Sequence, residues 1–129
     1  MPSSAVLDAS AMMAVLLDEP GGRELIRVLP NAVVSAVNLS EVAGKLFDRG
    51  ANRERVEAIL DGLKLGAVDG FGAEAAVRAG ELRHSAPRYL SLGDRACIEL
   101  AIRSRLPAYT ADRSWAGLKL IGLKVVSIR

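Results

Sequence analysis

Short apolar runs alternate with amphipathic stretches along the whole chain. The apolar runs predict β-strands at 4–8, 32–37, 65–70, 106–110 and 123–128. The amphipathic stretches predict helices at 10–19, 23–29, 38–50, 73–84 and 92–105, with another around 56–63. Helices that alternate with apolar strands are typical of an α/β fold, so we expect a three-layer sandwich with a mainly parallel central sheet. Neither a repeat nor a long linker interrupts this pattern, which predicts one domain over 1–129.

The spacing of apolar positions also predicts which helix faces are buried. In helix 38–50 the shared face consists of Val42, Ala43, Leu46 and Phe47, and in helix 73–84 the inward positions are Ala73, Ala76, Val77 and Gly80.

Composition narrows the class of protein only moderately. Of the 129 residues, 50% are hydrophobic and 25% are charged, which is typical of a globular domain. Aromatic residues make up only 4%, so base stacking is not expected to be the main mode of binding a nucleic acid. The net charge of +2 does not by itself indicate a nucleic-acid partner. A single cysteine, Cys97, excludes a disulfide framework and a cysteine-based zinc site.

The beginning of the sequence does not have the pattern of a signal peptide or of a membrane-spanning segment. It has no basic n-region, and its apolar run "AMMAVLL" is far too short to cross a bilayer. We therefore expect a cytoplasmic protein without a membrane partner.

Four acidic residues stand where a predicted strand ends or a predicted helix begins. Asp8 ends the first strand, Glu41 and Asp94 lie in first helical turns, and Asp112 follows the strand that contains "AYT". A helix of about 13 residues rises roughly 20 Å, and a strand of about 5 residues returns roughly 16 Å. Since the carboxyl ends of parallel strands share one edge, we expect the four carboxylates to converge there.

Helix capping is the simpler interpretation of each acid taken alone. Asn38 with Glu41 and Ser91 with Asp94 have the spacing of capping boxes, and the other two acids suit N-caps. A cap contributes only about 1 kcal/mol, whereas two carboxylates about 5 Å apart repel by roughly 3 kcal/mol at an effective dielectric constant near 20. Capping therefore does not explain convergence, but a bound Mg²⁺ or Mn²⁺ does. A site of this kind suits hydrolysis of a phosphodiester by a metal-activated water.

Four segments, in this order and with this spacing, resemble the PIN-domain ribonucleases, and in particular the toxins of VapBC toxin–antitoxin pairs. The segments are "VLDASA", "NLSEV", "LSLGDRACIELA" and "YTADRSW". The resemblance implies that Asp8, Glu41, Asp94 and Asp112 are the catalytic, metal-binding acids, and that Ser10 and Thr110 support them. It further implies Mg²⁺- or Mn²⁺-dependent cleavage of RNA, a homodimer, and silencing by a small antitoxin. Many relatives carry an acid or Asn at the position of Ser114, so this chain departs from the family there.

Two arginines directly follow two of these acids. Arg95 and Arg113 are candidate contacts to substrate phosphates. A structural or solvated role is the alternative for each.

Two other functions remain open at this point. A PIN nuclease that acts in RNA processing would have the same sequence pattern as a toxin. A receiver-like signalling or binding module would carry its phosphorylated acid at Asp69, after the third strand, and a late lysine at Lys124, but its first strand would need a pair of acids.

Overall fold

The structure is a computed structural model, and it describes residues 3–129. Its strands are Ala5–Leu7 (β1), Ala32–Ser35 (β2), Ala67–Asp69 (β3), Ala108–Thr110 (β4) and Val125–Ser127 (β5). Its α-helices are Ala9–Leu16 (α1), Gly22–Leu25 (α2), Ala36–Asp48 (α3), Arg53–Gly62 (α4), Ala73–Ser85 (α5) and Leu92–Ser104 (α6). Short 3₁₀ turns span Leu29–Asn31 and Arg113–Gly117.

The five strands form one sheet in the order β3-β2-β1-β4-β5, and every pair is parallel. The register pairs Leu7 with Tyr109 across β1 and β4, and Ser35 with Asp69 across β2 and β3. Parallel pairing places the residues that follow each strand at the same edge. Asp8 and the segment after Thr110 therefore begin side by side.

Alternate side chains of the strands enter two separate cores, one on each face of the sheet. Leu7 and Val34 pack with Met12 of α1 and Val42 of α3. Val6 and Val33 point the other way, into a core with α6 and the fully buried Trp115; from α6 it contains Cys97, Ile98, Leu100 and Ala101. Helices thus cover both faces of a wholly parallel sheet, which confirms the predicted three-layer α/β fold.

Several predicted boundaries move: the helix predicted at 23–29 shortens to α2, and α1 ends at Leu16 where 19 was predicted. The change that matters most for the site is at the end of β2. The apolar run 32–37 was expected to be a strand, but β2 ends at Ser35 and α3 begins at Ala36. The side chain of Ser35 caps the helix, because its Oγ accepts a hydrogen bond from Val37 N at 3.2 Å. The prediction that this helix begins near Asn38 is therefore wrong by about half a turn.

The predicted inner face of α5 is also wrong. Ala75 and Ala79 are the buried residues, whereas Val77 is 68% exposed. This helix packs against α6 alone with a substantial interface, so a narrow stripe of small residues suffices to bury it. Phe47 was predicted to lie on the buried face of α3, but it is 46% exposed.

Two isoleucines allow a matched test of this core. Ile98 of α6 is fully buried and Ile121 is fully exposed. We expect Ile98→Ala to lower the free energy of unfolding by about 2–5 kcal/mol, because it removes buried methyl groups and leaves a cavity. Ile121→Ala should change it by less than about 0.5 kcal/mol. Urea unfolding measures both, and equal effects would contradict the described packing.

Candidate active site

Asp8 lies at the centre of the edge, directly after β1, and is only 5% exposed. It is the N-cap of α1: its Oδ1 accepts hydrogen bonds from Ala11 N at 2.9 Å and Ser10 Oγ at 2.7 Å. Thr110 Oγ1 donates to its Oδ2. Burial nevertheless raises the pKa of Asp8 above its ordinary value, although these three donors oppose the rise. A carboxylate that stays charged here is held at a free-energy cost.

The two predicted supporting hydroxyls join Asp8 to β4. Ser10 Oγ accepts a hydrogen bond from Ala111 N at 2.9 Å while it donates to Asp8. Thr110 Oγ1 accepts from Asp112 N at 3.0 Å. Two residues that are 100 positions apart in the chain, Ser10 and Thr110, thus fix the end of β1 against the segment that carries the fourth acid.

Glu41 lies in the second turn of α3, because the helix begins earlier than predicted. It does not close a capping box with Asn38. Asn38 is instead 1% exposed, and its Nδ2 donates both to Glu41 Oε1 at 2.9 Å and to the Gly93 carbonyl oxygen at 3.0 Å. Asn38 therefore ties Glu41 to the first turn of α6.

Gly93 permits this close approach. A Cβ atom at that position would lie 2.3 Å from Glu41 Oε1, so the carboxylate occupies the space that any other residue would fill. Since Asp94 is the next residue, Glu41 and Asp94 become neighbours. The contact that Asn38 and Gly93 make with Glu41 was not predicted from the sequence. The available signals were the Asn three residues before Glu41, interpreted only as a cap, and the Gly directly before Asp94.

Asp94 does close the predicted capping box. Its Oδ2 accepts from Ser91 N at 3.0 Å, and Ser91 Oγ accepts from Asp94 N at 3.1 Å. The charge of Asp94 also contributes to the raised pKa of Asp8. The thiol of Cys97, fully buried one turn along α6, has its pKa raised by burial first and then by the charges of Asp8, Asp94 and Glu41. Three acids from three segments therefore lie close enough to Cys97 for their charges to act on its thiol.

Asp112 is exposed and caps the 3₁₀ turn that follows β4. Its Oδ1 accepts hydrogen bonds from Ser114 N at 2.9 Å and Ser114 Oγ at 2.7 Å. The residue at which this chain departs from the family pattern thus orients the fourth acid. Asp112 is linked to Asp8 through Thr110, which bonds to both.

The acids do not form a finished metal cage. Within residues 3–129, no group of three Asp, Glu, His or Cys side chains is close enough to hold a metal ion as the side chains stand. The donor set nonetheless fits a hard divalent cation, which keeps several waters and needs only a few carboxylates. The buried Asn38 Oδ1, which has no hydrogen-bond partner, adds an acceptor oxygen beside Glu41.

Of the two arginines that are candidate contacts to a substrate phosphate, Arg95 already forms a hydrogen bond within the protein. Its Nη1 donates to the Ala79 carbonyl oxygen of α5 at 3.0 Å, which favours its structural alternative. Arg113 is exposed beside Asp112.

The receiver-like alternative does not agree with the topology. Its strand order, 2-1-3-4-5, places β3 inside the sheet, whereas β3 is here an edge strand. Asp69 is also engaged: Arg103 donates to its two carboxylate oxygens at 3.3 and 3.0 Å, and this lowers the pKa of Asp69.

Comparisons with known proteins agree with the motifs. The PIN domain family model matches residues 5–119. A toxin–antitoxin complex from Klebsiella pneumoniae superposes with a TM-score of 0.76 at 19% identity, covering 98% of both chains. DNA-bound VapBC from Salmonella typhimurium gives 0.74 at 19% identity, covering 98% of this chain and 99% of the other. VapC20 of Mycobacterium tuberculosis, a sarcin-ricin loop cleaving toxin, gives 0.69 at 24% identity, covering 90% and 97%. No curated protein sequence matched.

Two helical glycines test the contact between Glu41 and Gly93. Gly80 of α5 has no atom within 4 Å of an added Cβ, so Gly80→Ala should raise the free energy of unfolding by about 0.5–1 kcal/mol. Gly93→Ala should not raise the free energy of unfolding in this way, because the added Cβ displaces the Glu41 carboxylate from Asn38. Urea unfolding gives the stabilities, and the NMR signals of the Asn38 side-chain amide report the broken bond. Equal gains with unchanged amide signals would refute the contact.

Proposed function

Because the chain belongs to the PIN-domain family, we propose that it is a metal-dependent endoribonuclease and the toxin of a VapBC-type toxin–antitoxin pair. The observation that carries this proposal is the buried Asp8 in the electrostatic field of Asp94. Such an arrangement costs free energy in the protein alone and becomes favourable when a cation binds. The three structures named above, a toxin–antitoxin complex, a VapBC complex and a VapC toxin, support the toxin assignment by similarity of fold.

The proposed ligands of Mg²⁺ or Mn²⁺ are Asp8, Glu41, Asp94 and Asp112. A bound divalent ion supplies a water of lowered pKa and neutralises charge on the phosphate. Ser10 and Thr110 hold the Asp8 carboxylate in place through their hydroxyl groups. The N-termini of α1 and α6, capped by Asp8 and Ser91, direct partial positive charge to the same edge, where a phosphate binds favourably.

Few residues other than the four acids are candidates to contact the substrate. Arg113, exposed beside Asp112, is the proposed arginine contact to a backbone phosphate. His84 is the only histidine, so a two-histidine mechanism through a cyclic phosphate is excluded. Hydrolysis by an activated water, in which the 3′ oxygen departs and the phosphate stays on the 5′ end of the downstream fragment, is the reaction that this set of residues suits.

The proposed partners are a small VapB-type antitoxin and a second copy of the chain. The named VapBC and toxin–antitoxin structures support the antitoxin by similarity of fold. None of the helices within residues 3–129 has both the length and the apolar character of a membrane span. From the proposed toxin role, we propose that the pair acts in the cytoplasm. Purification of the chain from its host distinguishes the toxin role from a role in RNA processing. A small protein that co-purifies with the chain is expected for a toxin.

The nuclease proposal is tested on purified protein. Single-stranded RNA should be cut with Mg²⁺ or Mn²⁺ and left intact with EDTA. Asp8→Asn and Asp94→Asn should each lower the rate at least about 100-fold, because each removes a charge that the transition state needs. Asp61→Asn, at an exposed acid of α4, is the matched control and should cut like the parent. Equal rates for all three variants would refute the assignment.

A thermal melt tests the metal without relying on activity. In EDTA, Asp8→Asn should melt at a higher temperature than the parent, because it removes a buried charge while Asn still caps α1. Mg²⁺ should stabilise the parent by about 2.7 kcal/mol at 100 times its dissociation constant and leave Asp8→Asn unchanged. Equal stabilisation of both proteins by Mg²⁺ would place the ion elsewhere.

A further inference from the structure

A cleft of about 420 Å³ adjoins the acidic edge between α3 and the loop after β3. Its walls are Ala36, Val37, Ser40, Glu41, Gly70 and Phe71. Glu41 belongs both to this cleft and to the cluster of acids. Glu41 therefore connects the cluster of acids to this cleft.

The backbone of Phe71 adopts a conformation that favours glycine. Its φ is 53°, in the left-handed region, which is uncommon for a bulky residue. Among residues 3–129, the other non-glycine residues with positive φ are Asp18, Lys64 and Arg105, and each stands at the end of a helix, where this conformation is a usual stop. Phe71 precedes α5 instead, so helix termination does not explain it.

A set of charged side chains holds the loop in this conformation. Phe71 N donates to Asp69 Oδ2 at 3.2 Å, and Asp69 is bound by both Nη atoms of Arg103. Arg103 is in turn fixed by Glu99, whose Oε2 accepts from its Nε at 2.8 Å. An aromatic residue thus sits where Gly would be unstrained, with Gly on either side of it. Strain that is maintained in this way is a recurrent feature of binding sites.

We infer that Phe71 is a stacking surface for one unpaired base of the RNA substrate, at a nucleotide next to the cleaved phosphate. This inference rests on the proposed function. The apolar walls of Ala36 and Val37 suit the flat faces of a base, and the Ser40 hydroxyl is a donor and acceptor for its edge. The backbone of a bound strand that leaves the carboxylates passes Glu41, the residue shared by both sites. With aromatics at 4% of the chain, one stacked base is expected and not an extended platform.

The chain contains two phenylalanines, and the second is a matched control. Phe47 is 46% exposed on α3 and does not line the cleft. Phe71→Leu should raise KM for a random-sequence single-stranded RNA roughly 5- to 100-fold with kcat within about twofold, which is the range for loss of one stacked base. Phe71→Tyr should keep the parental KM, and so should Phe47→Leu. Sequencing of the cut ends should show a base preference beside the cleavage point that is lost in Phe71→Leu alone.

Phe71→Gly separates binding from a structural role of the ring. It relieves the positive φ, so its melting temperature should equal or exceed that of the parent, while its KM should rise as in Phe71→Leu. A lower melting temperature with an unchanged KM would make the ring structural and overturn the inference. An unchanged KM in Phe71→Leu, with a parent that cuts RNA, would overturn the inference alone. A parent that neither cuts the RNA nor binds it by fluorescence anisotropy in EDTA would overturn the proposed function as well.

Discussion

The burial of a carboxylate, Asp8, is the constraint on which the candidate site depends. Asp8 is buried, lies in the field of Asp94, and has a pKa raised by its surroundings. The protein offsets part of this cost with neutral donors: two hydroxyls and one backbone N–H bind the Asp8 carboxylate. Neutral donors hold a charge in place without cancelling it. The cluster therefore keeps its attraction for a cation, which a salt bridge within the protein would have removed.

A fifth acid near the same edge shows the contrast. Asp69 ends β3 as Asp8 ends β1, but Arg103 binds both of its oxygens. Its pKa is lowered, not raised, and its part is to hold the loop before α5. Within residues 3–129, the four predicted ligands take part in no salt bridge. An acid at the carboxyl edge is therefore not by itself a candidate ligand. The candidates are the acids at this edge that have no counter-ion within the protein.

The sequence predicted the layers, the parallel sheet and the edge at which the acids lie, because these follow from periodicity and strand direction. It did not predict boundaries that depend on a single side-chain bond: Ser35 caps α3 and ends the strand two residues early. It assigned the wrong face to α5, since alanines that alternate with polar residues give no distinct period. Asn38 and Gly93 were missed because their role is a contact between α3 and α6, 55 residues apart, which no local pattern encodes.

Capping and metal binding, treated as rival explanations of the acids, are compatible in this geometry. A carboxylate has about four lone-pair directions, and a cap uses one or two of them. The caps use Oδ2 of Asp94 and Oδ1 of Asp112, so within residues 3–129 the second oxygen of each takes no described hydrogen bond. A cap also fixes the side-chain rotamer, which reduces the entropy lost when a ligand binds. The bonds that cap the helices at this edge therefore leave one oxygen of Asp94 and one of Asp112 for other ligands, so capping and the proposed metal binding do not exclude each other.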